Sequence, residues 1–467
     1  MYRRVGAGAA ALAVMIMAGG AMADSNYSGF PVTLKGYAGN ATTSVSYTGQ
    51  IARHVLHDSL KVLAGTGSEN AKSAAKVEDK MLSYFGKESG REIVAPATKG
   101  SFVILQTEVD QISGGKDLTG KIYKGTVAGM PGQMTGGDLV KFWIKKASRT
   151  NGGYDSRNGY NYPQLISKYI MGAVSYHQAV DNYLDEKLTA GTKPNDKPYK
   201  DGAAYTGKEH SWDEAFGYFG APAHTMALTA EQVYGIAKKK DLVAADFNKD
   251  GKVDLKTEMT FGPAYYASAF DKGGKTQYLH TIMGAYLEGR KLITAANGAK
   301  LTKSQRDQLI NHAQTISSNW ETVLAEATFK YAGSVYKDMA KIKAALDSGE
   351  STSKALSAYI KHWGELKGFS LALQSGRFDL GKVATKMNRL IGFGPLMPNL
   401  SQVVDIDSSG RYVKDQGSSW GEYQLHMLKL QTLLSQSFPI AAKANDMTAE
   451  ISTLTEALGD GASAEND

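Results

Sequence analysis

The stretch Asp246-Phe247-Asn248-Lys249-Asp250-Gly251-Lys252-Val253-Asp254 places an oxygen donor at every second position. Calcium takes roughly six to eight oxygen ligands, and a helix–loop–helix loop supplies them from its first, third, fifth, seventh and ninth residues. Here those are Asp246, Asn248, Asp250, the Lys252 carbonyl and Asp254. Gly251 falls where such a loop turns sharply, and Val253 falls at its apolar position. The twelfth residue is Thr257, so the acid that usually closes the loop arrives one residue late, as Glu258. Lys249 and Lys252 lower the local negative charge. A turn rich in Asp, Asn and Gly needs no metal, but five oxygen positions in register predict an EF-hand-like calcium loop with a structural role.

Histidine beside a carboxylate is the second chemical pattern. Residues three or four apart share a helix face and can offer nitrogen and oxygen ligands to one metal. Five of the nine histidines have such a partner: His54, His177, His210, His362 and His426. Chance alone gives about three, so context must discriminate. Glu209-His210-Ser211-Trp212-Asp213-Glu214-Ala215-Phe216 crowds one imidazole and three acids among aromatic rings. His362-Trp363-Gly364-Glu365-Leu366-Lys367-Gly368-Phe369 repeats the ingredients. Charges beside large aromatics are costly to bury unless paired or metal-bound. His210, Asp213, Glu214, His362 and Glu365 are therefore candidate ligands for iron or another transition metal. If both blocks converge, they form one site.

The elements that must position these groups are helical. Apolar residues recur at three- and four-residue intervals over 51–63, 139–147, 162–188, 231–240, 277–296, 302–346, 353–374, 418–437 and 447–458. Thr302-x-x-Gln305 has capping-box spacing. The glycine-rich 90–137 stretch reads as long loops or a short hairpin, and 25–46 as an extended lead-in. Strand alternation is almost lacking, so the predicted fold is all-α, in helical bundles. The expected organisation is a signal at 1–23, a helical half at 24–190, a linker carrying the calcium loop at 191–260, a second helical half at 261–458, and a tail at 459–467. Four of the five tryptophans are followed closely by an acid, at Asp213, Glu321, Glu365 and Glu422. A duplicated unit produces this, and so does the placing of acids in a helix's first turn.

Composition narrows the function. A net charge of +7 over 467 residues is no concentrated basic stripe, which argues against nucleic-acid binding. The absence of cysteine excludes disulfides, thiolate metal sites, cysteine nucleophiles and a lipid-modified cysteine. Arg3 and Arg4, the uncharged run Ala9 to Ala18, and Ala21-Met22-Ala23 before Asp24 read as an export signal cleaved near Ala23. No later run is long enough to span a membrane. The expected location is periplasmic or secreted.

Ser44-Val45-Ser46-Tyr47-Thr48-Gly49-Gln50, Met171-Gly172-Ala173-Val174, the His210 to Gly220 block, and Trp363 to Gln374 running into Ile391-Gly392-Phe393-Gly394-Pro395 carry a resemblance. They look like the bacterial exported family catalogued as domain of unknown function 4856, over nearly the whole chain after the signal. That family resembles in turn the imelysin-like periplasmic proteins, which are helical, iron-regulated and marked by a His-x-x-Glu metal motif. His362 with Glu365 matches that spacing. At His210 the third position is Asp213, and Lys208 and Ile360 stand where the imelysin pattern has glycine. The resemblance implies a periplasmic metal-binding protein of the iron- or transition-metal-acquisition type, with an envelope receptor or transport protein as partner. The alternatives are a helical envelope scaffold that binds a protein or glycan, and a hydrolase. His-Glu-x-x-His does not occur.

Overall fold

The computed structural model describes residues 26–376 and 380–459, so the expected export signal and nearly all of the tail lie outside the described residues. The chain is mostly helical, as its periodicity predicts. In order, the helices are α1 (Thr48–Ala64), α2 (Ala71–Phe85), α3 (Gly136–Ser148), α4 (Tyr162–Ile170), α5 (Gly207–Phe219), α6 (Ala230–Ala237) and α7 (Leu242–Ala245). Then come α8 (Gly262–Asp271), α9 (Tyr278–Ala295), α10 (Lys303–Ser348), α11 (Ser353–Leu373), α12 (Gly381–Ile391), α13 (Trp420–Ser437) and α14 (Ile451–Leu458). Two antiparallel hairpins complete the secondary structure: β1 (Tyr154–Asp155) with β2 (Tyr160–Asn161), and β3 (Ser401–Ile406) with β4 (Tyr412–Gln416).

Local chemistry sets the helix ends. The predicted capping box forms at the start of α10: Thr302 accepts from the Gln305 amide while the Gln305 side chain takes the Thr302 amide. Equivalent boxes open α5 (Thr206 with Glu209), α6 (Thr229 with Gln232) and α13 (Ser419 with Glu422). The last of these accounts for the acid after Trp420. Trp212, Trp320 and Trp363 lie inside α5, α10 and α11, so their neighbouring acids are not first-turn residues.

The 46-residue α10 is the central strut, packing against α8, α9, α11 and α13. α11 packs against α4, which continues as π-helical turns over Met171–Tyr176 and Gln178–Tyr183. One continuous apolar cluster runs from Tyr27 to Ala442. α5, which falls in the stretch expected to be a linker, is buried in that cluster through Trp212, Phe216 and Phe219. Residues 90–135 have no named strand and are held by single β-bridges and a short 3-10 turn. Among the described residues no helix is long and apolar enough to cross a membrane.

Candidate functional site

α7 delivers the chain into the predicted calcium loop, its start capped by Asp241, which accepts from the Ala244 amide. The loop coils around its own acidic side chains. Asp246 accepts from the amides of Asp250 (3.0 Å) and Gly251 (2.8 Å). Asn248 Oδ1 accepts from the Asp250 amide (2.9 Å), and Asp250 Oδ1 from the Lys252 amide (2.9 Å). Two residues take left-handed backbone: Lys249 at φ 63° and Gly251 at φ 81°. At Gly251 no Cβ penalty arises, which is the reason for glycine at that turn.

Beyond the turn the loop is anchored. Val253 is fully buried, its amide donating to the Val103 carbonyl (2.8 Å) and its carbonyl accepting from the Leu105 amide (3.0 Å). Gln106 donates to Asp254 (2.6 Å) and accepts from the Leu255 amide (2.9 Å), so 103–106 is stitched along the loop's far side. The late acid, Glu258, is buried and spans the loop's base. It accepts from the Phe247 (3.0 Å), Asn248 (3.2 Å) and Asp254 (2.7 Å) amides, and burial pushes its carboxyl up. Glu258 thus clasps the loop's two ends together. Asp250 and Asn248 stay exposed and Asp246 half-buried. A carboxylate has about four lone-pair sites, so the two hydrogen bonds that Asp246 and Asp250 each accept leave capacity for a cation.

The acids of the His210 block are matched from within. Arg290, fully buried on α9, donates to Asp213 (2.9 Å) and to Glu209 (3.1 Å). It also donates to Ser44 Oγ (2.6 Å). Asp213 accepts further from Tyr27 (3.0 Å) and from the Ser46 amide (3.1 Å), and Glu209 accepts from Thr33 (2.9 Å). Burial pushes the Asp213 carboxyl up to about 6 against the pull of Arg290. This network fastens the lead-in segment to α5. His210 faces another way. Its ring packs on Tyr199 (4.1 Å) and Tyr205 (4.7 Å), 3.6 Å from Glu214, which also accepts from Gln50 (2.8 Å).

The second block is engaged separately. His362 Nδ1 lies 2.5 Å from Asp338 on α10. Glu365 accepts from Tyr331 (3.2 Å) and stands 3.9 Å from the buried Lys168 ammonium on α4. Among the described residues no group of three or more His, Asp or Glu side chains is drawn together as a metal site. Sequence spacing missed Arg290, Asp338, Tyr331 and Lys168. Arg290 left a signal: Tyr286, Arg290 and Ile293 share one face of α9, and a cation on an apolar face demands a buried acid.

The model of the family described as Domain of unknown function (DUF4856) matches residues 36–255. The match takes in the Ser44, Met171 and His210 stretches and most of the 246–258 loop, and it ends before the Trp363 and Ile391 stretches that share the resemblance. No curated protein and no solved structure gives a significant match. Over residues 36–255, then, the chain is similar to the family of unknown function DUF4856.

Proposed function

We propose that the protein is an exported, metal-binding helical protein in which calcium organises the 246–258 loop. The observation that carries this reading is the loop's backbone. Oxygen-bearing side chains stand at its first, third, fifth and ninth positions, with left-handed residues at the fourth and sixth and a buried, bridged Val253 at the eighth. Calcium's preference for oxygen ligands at flexible spacing fits that arrangement, with Asp246, Asn248, Asp250, Asp254 and the Lys252 carbonyl as donors. Glu258 supports the loop as its clasp. The role is structural, because the loop is stitched to residues 103–106 and leads directly into α8.

Export to a periplasm rests on the pattern of Arg3 to Ala23. An imelysin-like role in iron or transition-metal acquisition draws less support. Asp213 is neutralised by Arg290, Glu365 faces Lys168, and His362 is paired with Asp338.

Calcium titration of the purified chain by calorimetry tests the proposal. The expected result is one calcium per chain, lost in Asp246→Ala/Asp250→Ala. Equal heats for wild type and the double variant overturn it.

A further inference from the structure

A cavity of about 310 Å³ opens between α1, α4, the end of α6, the start of α8 and the Ala95–Pro96 turn. That is the small end of the range for ligand sites, about 300–1,000 Å³. Its charges are one-sided. The charge-bearing side chains in the wall are Lys61, Lys168, Lys238 and Lys239 against one acid, Asp58. Glu365, which is not among the wall residues, lies 3.9 Å from Lys168.

Two further observations point to a ligand. Thr260 lines the cavity, is 2% exposed, and its hydroxyl finds no hydrogen-bond partner among the described residues. A buried hydroxyl without a partner is unfavourable unless something supplies one. The rest of the wall, Ser167 apart, is mostly apolar and aromatic, including Met171, Phe261, Tyr265 and Tyr266, so an occupant needs an apolar body as well as a charge.

We propose that this cavity binds a small organic anion, a carboxylate or phosphate ester whose charged end meets Lys61, Lys239 and the Thr260 hydroxyl and whose apolar body lies on Tyr265 and Phe261. The state of the cavity's own groups agrees. The Lys168 ammonium beside it, and then burial, pull Lys61 down to about 7, while burial pushes Asp58 up to about 6. Crowded cations of this kind gain a counter-charge when an anion enters. Lys238 lies over the Tyr265 ring at 4.6 Å and Lys239 donates to the Ala97 carbonyl at 3.0 Å, so both hold the rim in place. The wall from Met259 to Gly262 follows directly on Glu258, which makes the loop's clasp a support of the cavity.

Calorimetric titration of the full chain with benzoate, phenyl phosphate and benzyl alcohol tests this. Both anions bind, the neutral alcohol binds at least about tenfold more weakly, and the tighter anion identifies the headgroup class. Lys61→Met weakens anion binding about tenfold, the loss expected for one charged partner, yet melts higher than wild type because the contact between Lys61 and Lys168 is gone. Thr260→Val weakens binding in the same direction, and Lys239→Met, at a half-buried rim position, repeats the Lys61 test at a second cation. Equal binding of alcohol and anions, no detectable binding of either anion, or unchanged affinity in Lys61→Met and Lys239→Met overturns the proposal.

Discussion

His54 and His57 are buried on α1 and held by carbonyl groups rather than acids: His54 Nε2 lies 3.1 Å from Gly217 O and His57 Nε2 2.8 Å from Ser167 O. Burial lowers His54 to about 4 and, with His54, Lys61 and Lys168 adding repulsion, His57 to about 3. As pH falls below about 6.5 the unfolded chain takes up protons that the folded chain refuses, so stability drops until the folded values are reached. Asp58 and Asp213, both raised to about 6 by burial, act in the opposite direction between about 6 and 4. A comparison with His57→Gln isolates the histidine. The stability advantage of wild type over this variant should shrink by about 2 kcal/mol between pH 7 and pH 5, and urea unfolding at the two pH values measures it. A constant difference would contradict the neutral-histidine assignment. Arg290 belongs to the same scale. Arg290→Met strands Glu209 and Asp213 in the core, which should cost about 3–5 kcal/mol in urea unfolding. The acids of this network were visible in the sequence as a charged, aromatic block, but their partner was not. Arg290 is 77 positions from Asp213, and local spacing carries no information at that range.

At the scale of elements, helices with strong periodicity and capping residues were the most legible. α10 begins at the predicted Thr302 box, and α6, α9, α11 and α13 lie within a few residues of their periodic stretches. Other elements were not legible: α5, α8 and α12 lie outside every periodic stretch, and two further features were hidden as well. The β3–β4 hairpin has short, mostly exposed strands with a bulge between Val403 and Asp405, so it lacks the alternating buried face that marks a strand. The Asp407-Ser408-Ser409-Gly410 turn was its available signal. The π-helical continuation of α4 is the other, since widened turns have the same apolar composition as an ordinary helix. These turns pack against α11. A Cβ at Gly172 would sit 2.3 Å from Ala372 Cβ and 2.5 Å from its Cα, so glycine sets how closely the two helices approach. Gly172→Ala should destabilise by about 1–3 kcal/mol through overpacking, despite alanine's better helix propensity of about 1 kcal/mol. A melting temperature at or above that of wild type would show that the approach is not tight.

For the molecule as a whole, one core joins the lead-in, α5 and the long α10–α11 pair, and the 246–258 loop is stitched into it rather than hung from it. The loop was readable in the sequence because its donors are consecutive and its turn chemistry is local. Its anchorage to Val103, Leu105 and Gln106 was not, because those partners lie near 150 positions away. That anchorage makes the loop's order a property of the global fold, so a cation bound there should stabilise the whole chain. At a hundredfold excess over its dissociation constant, a ligand that binds only the folded state contributes about 2.7 kcal/mol. The most direct measurement is the melting temperature of the purified chain in calcium and in chelator, with Asp246→Ala/Asp250→Ala alongside. The account predicts that chelator lowers the wild-type midpoint by several degrees and leaves the double variant unmoved; a wild-type midpoint identical in calcium and chelator would contradict it.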